Sequence, residues 1–514
     1  MLVENPLYIA LKRIQTRPLR ILSLIAAEII LIGIVYFVIW VNHQPLKGMN
    51  VHISKLIGKN FAIAMLVIQY IVLVIYGTFS IETRIVRDRM SDIINFHRLT
   101  PLSPQNIISG YIFGQSSDAI IIWGISFLAG IIGVLSGGIS FYQYFSSSIL
   151  ICMCAAFFYL LATWSGLTKS LTLKFGARQT WGFATVLTFL AVNPILINLS
   201  PIPAIRTIIS DQSNFYPNTY TAFVYFYGSP IPTIFYTMML WITFGTIAFF
   251  SSKRKIFSED SPALSKKEVL WLYGVLAFFI TGRFYGFYTH GLLTDCSSSA
   301  FIETRLPLGN SFSIFTAFIL LIFSIPRRIN LRRYFIKLQM KEHVMWHHDD
   351  APSLTTVKFL TIICVSFQIT MLLLIVFHFS RIREITIPYI DIFLQIIFFS
   401  ISMFFIMFLI EGFRMRFAKN SGNIPALILF IWFFVVPLIS SVYAYDRHIK
   451  NFYLAWLSPT KFLIPVFLRD LSENTSLPCI ITGLLLLVIA TYLSFLFWQK
   501  SKRIFEQKLF EIKN

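Results

Sequence analysis

The chain has 514 residues, 56% hydrophobic and only 13% charged, with a formal net charge of +20 and a mean hydropathy of +0.72. A soluble domain of this length would need far more surface charge, so the composition excludes that class. The positive excess is what basic loops on one side of a bilayer produce, so nucleic acid is not implied as a partner.

Taken from the start, Met1–Arg20 precedes the first apolar run. Asn5-Pro6 offers a side-chain cap followed by proline at the first helical position. Leu7, Ala10, Leu11 and Ile14 then recur at helical spacing, which predicts a short helix in the membrane interface, broken by Pro18. The following run is too long, and lacks the small-residue pattern, for a removable signal peptide.

Apolar runs near 20 residues predict twelve membrane spans. Their limits are 20–41, 61–80, 107–135, 142–167, 180–198, 229–250, 268–288, 311–325, 355–380, 388–410, 423–445 and 478–499. With both termini in the cytoplasm, the inner segments hold about 30 of the 43 Lys and Arg residues and the outer segments about 11. The predicted fold class is an all-α polytopic membrane protein.

Between the second and third spans lies the most polar run of the first half, 81–105. Arg84, Arg87, Arg89 and Arg98 assign it to the cytoplasmic side. Helical spacing gives Ile85, Met90, Ile93, Ile94 and Phe96 one apolar side, with Glu82, Arg87, Asp88 and Asp92 expected to be wet. Thr100-Pro101-Leu102-Ser103-Pro104 then stops the helix, because proline lacks an N–H and disfavours helical geometry in the residue before it.

This stretch resembles the cytoplasmic loop of type-two ABC exporter permeases, whose common form is roughly E-R-x-x-G-T-x-x-x-L-x-x-T-P-L-S-P-x-x-I-x-x-G-K. Thr100, Pro101, Leu102, Ser103, Pro104, Ile107 and Gly110 match it, and Asp88-Arg89 occupies the Glu-Arg position. The Gly-Thr position holds Asp92-Ile93, the Leu position His97 and the final Lys position Tyr111. The resemblance implies a permease subunit that moves substrate outward with energy from a separate ABC ATPase, expected as a dimer. Coupling to that ATPase would run through Glu82, Arg84, Arg87, Asp88, Arg89, Arg98, Thr100, Pro101 and Pro104. It also implies the cytoplasmic membrane of a bacterium, with one chain or a homodimer forming the pathway. No G-x-x-x-x-G-K-[ST] occurs, so ATP would bind the partner and no cofactor is expected on this chain.

Ser252-Lys253-Arg254-Lys255 after the sixth span and Ser501-Lys502-Arg503 after the twelfth, each downstream of a Leu-Ser-Pro, point to two six-span units, 1–260 and 261–514. In the second unit the two-proline corner is absent. Its place is taken by a basic helix over 326–350, read as a membrane-hugging or second docking element, or a solvated loop helix. His343 and His347 lie four apart, with His348, Asp349 and Asp350 beside them. That is legal metal-ligand spacing and equally a polar helix end.

Ionisable residues in or beside spans are few: Glu28, Asp118, Arg283, Asp391 and Glu411. Glu28 and Asp118 are the candidates to line a pathway, or else to pair between helices. Cys296 and Cys479 lie in or beside predicted outer loops and could pair. Two other classes stay open: a membrane-embedded enzyme acting on lipid or a lipid-linked substrate, for which 343–350 is the best cluster, and an ion-coupled carrier.

Overall fold

The computed structural model describes residues 5–43, 53–136, 139–168, 201–209, 223–227, 229–258, 261–262, 264–291, 317, 320–321, 325–326, 328–340, 351–379, 389–417, 424, 428 and 477–511. Among these the chain is almost entirely helical, and seven helices are long and apolar enough to cross a bilayer. They are Pro18–His43, Ile53–Met90, Ser117–Leu135, Phe141–Thr168, Thr233–Phe257, Ile396–Arg416 and Ile481–Lys508. A polytopic α-helical membrane protein follows from that. The predicted span 180–198, most of 311–325 and of 423–445, and the cluster His343–Asp350 lie outside the described residues, as does Cys296.

The chain forms two compact units, Met1–Val224 with Ile231–Glu259, and Tyr225–Pro230 with Asp260–Asn514. In the first, α1 (Pro6–Gln15) begins where expected, with Asn5 Oδ1 accepting from Leu7 N at 3.1 Å and Tyr8 N at 3.4 Å. α2 (Pro18–His43) follows, and its one buried residue is Glu28, while Leu22, Ile29, Ile34 and Phe37 are exposed. That inverts a soluble helix and is what a lipid solvent selects, since a carboxylate must turn inward.

α3 (Ile53–Gln69), a π-helix (Tyr70–Tyr76) and α4 (Gly77–Met90) run as one continuous 38-residue rod. α5 (Ile93–Leu99), α6 (Pro104–Gln115), α7 (Ser117–Leu135) and α8 (Phe141–Thr168) complete the core of this unit. The predicted third span, 107–135, is therefore two helices that break at Ser116. Ser116 Oγ donates to Ile112 O at 2.6 Å and Ser117 Oγ to Gly114 O at 2.9 Å, local bonds that compete with the helical ladder.

Small residues let these helices meet backbone to backbone. A Cβ on Gly133 would lie 2.8 Å from Gly58 O, so α3 and α7 cross at van der Waals contact. α9 (Ile202–Ile209), the strands β1 (Phe223–Phe226) and β2 (Ser229–Pro232), and α10 (Thr233–Phe257) follow. Ile81, Ile85, Ile107, Tyr111, Phe158 and Trp241 share the core of this unit.

The second unit contains α11 (Lys266–Gly291), α12 (Arg328–Gln339), α13 (Leu354–Phe379), α14 (Tyr389–Arg416) and α15 (Leu477–Glu511). Glu411, near the end of α14, is fully buried and accepts from Ser353 N at 2.6 Å and Trp498 Nε1 at 3.1 Å. Both carboxylate oxygens are thus satisfied by neutral donors. Among the described residues Cys152, Cys154 and Cys364 form no disulfide.

Candidate functional site

The polar run 81–105 becomes a compact foot made of the end of α4, α5, the two-proline corner and the start of α6. The expectation that Glu82 and Asp88 would be wet is wrong: they are 2% and 1% exposed. The helix does not stop after Gly77 but continues to Met90, so these residues stay packed against α8 and α6. Arg87 and Asp92 are exposed, as expected.

Each buried charge on α4 has a local answer. Glu82 accepts from the Ser165 hydroxyl of α8. Arg84 Nε lies 3.1 Å from the Asp88 carboxylate, one turn on, and Tyr111 OH donates to the same carboxylate at 2.8 Å. Arg89 Nη1 donates to Gly166 O at 3.0 Å. Gly166 permits that contact, because a Cβ there would sit 2.9 Å from the Ile85 side chain. The Tyr111, Ser165 and Gly166 bonds tie the end of α4 to α6 and α8.

α4 ends at Ser91-Asp92, where Asp92 takes φ 57° in the left-handed region that Asp, Asn and Gly tolerate best. This is the position where the resembling loop has glycine, and the backbone gives a physical reason for it. α5 then buries Ile94 and leaves Ile93, Phe96 and Leu99 outside, Leu99 at 86% exposure. Arg98 fastens the helix: its Nε donates to Ile256 O at 2.7 Å and its Nη2 to Lys255 O at 3.1 Å, carbonyls at the C-terminal end of α10.

Thr100 and Ser103, each before a proline, are extended, with ψ 155° and 146°. Ser103 Oγ accepts from Asn106 N at 3.3 Å and caps α6, with Pro104 at its first position. Leu102 turns back onto the core. α1 in turn seats on α6: a Cβ on Gly114 would lie 2.8 Å from Leu11 Cβ, and one on Gly110 3.1 Å from Leu7. Asn5 Nδ2 closes the seat on Asn106 O at 2.5 Å.

His97 faces this lattice from α5. Its ring packs edge-on against Tyr111 at 6.4 Å, and its Nε2 is buried without a hydrogen-bond partner among the described residues. Burial holds the imidazole below its usual value of 6.5. The Asp88 carboxylate works against that shift, and the Arg84 guanidinium adds to it.

Glu28 and Asp118 stand apart from the foot and from each other. Glu28 accepts from Ser126 Oγ at 2.7 Å. Asp118 accepts from Arg20 Nη2 at 2.9 Å and Tyr76 OH at 2.7 Å. Both are interhelical pairs, so each holds α2 to α7. Beside them the π-helix admits the Tyr159 hydroxyl, which donates to Leu73 O at 2.7 Å. Gly77 leaves it room, since a Cβ there would be 2.3 Å from that hydroxyl. Wide turns of this kind are common at functional sites. Among the described residues no group of three His, Cys, Asp or Glu could hold a metal ion.

The sequence brought forward the charges of the foot and the corner but not Ser165, Gly166 or Ser126, single polar or small residues inside apolar runs. Comparison with family models, with curated protein sequences and with solved structures finds no match to this chain.

Proposed function

We propose that this chain is the membrane-spanning permease subunit of an ATP-driven exporter of the type-two ABC class, working with a separate ATPase subunit. One observation carries the reading. α5 leaves Ile93, Phe96 and Leu99 outside, yet it packs on α4 and Arg98 fastens it to α10, while α4 is in turn bonded to α6 and α8. An apolar face on a stiff mount suits a groove on a moving partner. On this reading closure of the ATPase dimer displaces α5, and the displacement passes to α4, α6, α8 and α10. The loop-charge bias supports a cytoplasmic position for the foot, and the resemblance implies a bacterial inner membrane as its setting.

The test is Pro101→Ala combined with Pro104→Ala in the full complex. Without the prolines the corner loses its restricted backbone, so ATP hydrolysis should persist while transport falls and membrane insertion stays normal. Coupled transport at the normal rate in that variant, or purification of the chain with no ATPase subunit attached, would overturn the reading.

A further inference from the structure

α12, the end of α14 and the end of α15 meet at one end of the second unit. Leu331 and Phe335 of α12 pack on Met415 and Phe505. Arg414 Nη1 donates to Ile325 O and, at 2.9 Å, to Pro326 O, just before α12. Over α12, 411–417 and 500–511 the chain carries ten Lys and Arg against three Glu. The foot of the first unit, 82–98, carries four Arg against three acids, and Arg84, Arg89 and Arg98 are spent on partners inside it. Of the two polar ends, the second is therefore the one whose field extends beyond the protein.

The cations of this collar are not used up within the unit. Arg332, Arg416, Lys500, Arg503 and Lys508 are exposed and form no hydrogen bond or ion pair among the described residues. Lys502 rests its ammonium over two rings, 5.8 Å from Phe335 and 5.7 Å from Trp498. Glu411 is buried and taken by Ser353 N and Trp498 Nε1, and Glu506 forms no ion pair among the described residues.

A second observation is depth. The apolar run of α15, 480–498, measures about 28 Å at helical rise, close to a hydrocarbon core of about 30 Å. Lys500 and Arg503 then lie about 3 and 8 Å beyond it, at the level of the headgroups, and Phe505, where α12 rests, about 10 Å beyond. The negative surface potential of an anionic leaflet falls off within a Debye length, about 8 Å in physiological salt. The collar thus sits within or at the edge of that field. Leu338 and Met340 at the end of α12 are 50% and 56% exposed, which suits the boundary between headgroups and acyl chains. An acidic protein would need a packed apolar centre to anchor it, and Leu331, Phe335 and Phe505 are already closed over one another.

We propose that α12 and the ends of α14 and α15 form a basic collar that binds the surface of an anionic lipid leaflet. The collar rests on the membrane spans and stands whether or not the chain is an exporter subunit.

The experiment follows amide exchange of the full-length protein in two lipid nanodiscs, one of phosphatidylcholine and one of equal parts phosphatidylcholine and phosphatidylglycerol. Exchange over α12 and 500–508 should slow about tenfold in the anionic discs while α5 keeps its rate, and molar salt should erase the difference. Arg332→Gln, Lys500→Gln and Arg503→Gln together should abolish the slowing. The same variant should exchange at the wild-type rate in neutral discs, because these side chains hold nothing inside the protein. Lys500→Arg alone, which keeps the charge, should respond as wild type does. Equal rates in the two discs, or full slowing in the triple variant, overturns the proposal. Poly-glutamate added to the neutral discs stands for an acidic protein surface, and slowing as strong as that in the anionic discs overturns the leaflet as the partner.

Discussion

α5 and α12 are both short polar helices beside long apolar ones, but they dispose of their apolar residues in opposite ways. α12 buries Leu331 and Phe335 against Met415 of α14 and Phe505 of α15, and Lys502 rests its ammonium 5.8 Å from the Phe335 ring. α5 buries only Ile94 and leaves Ile93, Phe96 and Leu99 uncovered. The basic helix, read from sequence as a membrane-hugging or docking element or a solvated loop helix, places Leu331 and Phe335 inside its own unit and leaves Leu338 50% exposed. What differs is therefore not apolar content but how much of it a partner within the chain has claimed, and α5 keeps the larger share uncovered.

The most direct way to break this contrast is a pair of alanines. Phe335→Ala should remove about 3–5 kcal/mol of stability, the usual cost of a buried aromatic, whereas Phe96→Ala should stay within about 0.5 kcal/mol. Thermal unfolding of the purified chain reads both, and equal losses would mean α5 is covered after all. Next in size, Gly114→Ala forces a Cβ to within 2.8 Å of Leu11, and overpacking of this kind costs about 1–3 kcal/mol. It should free α1 to proteolysis before the rest of the unit opens. Tyr111→Phe removes a donor from a buried carboxylate and should cost about 1–3 kcal/mol, while loosening α5 in amide exchange and leaving α12 unaffected.

The smallest effect is that of pH. His97 has its pKa depressed in the folded protein, so below 6.5 the unfolded chain takes up protons that the folded one resists. The contribution of His97 is complete above that value and declines as the medium becomes more acidic. Asp88, Arg84 and Tyr111 are the groups that face the ring. Relative to the intrinsic rate, amide exchange of α5 should quicken as the pH falls below about 6.5 in wild type and stay constant in His97→Gln, with α12 as the internal control.

Much of this was legible in the residues. Asn5-Pro6 and Ser103-Pro104 start helices by local chemistry alone, and the apolar runs foretold the seven long helices. The break at Ser116 was not legible, because it arises from two serine hydroxyls taking backbone carbonyls within an unbroken hydrophobic run. The burial of Glu82 and Asp88 was missed for a related reason. Helical spacing says which residues share a side, but Ser165, Gly166 and Tyr111, distant in sequence, decide which side is packed.

The 38-residue rod Ile53–Met90 measures about 57 Å at helical rise, nearly twice a hydrocarbon core of about 30 Å. Its single irregular turn lies near mid-length, so the rod has the proportions of a lever with its fulcrum in the bilayer. A tilt of about 10° at Leu73 would swing Met90 through about 4 Å. Asp118 of α7, bonded to Tyr76 in that same turn, therefore sits close to the pivot rather than at the tip.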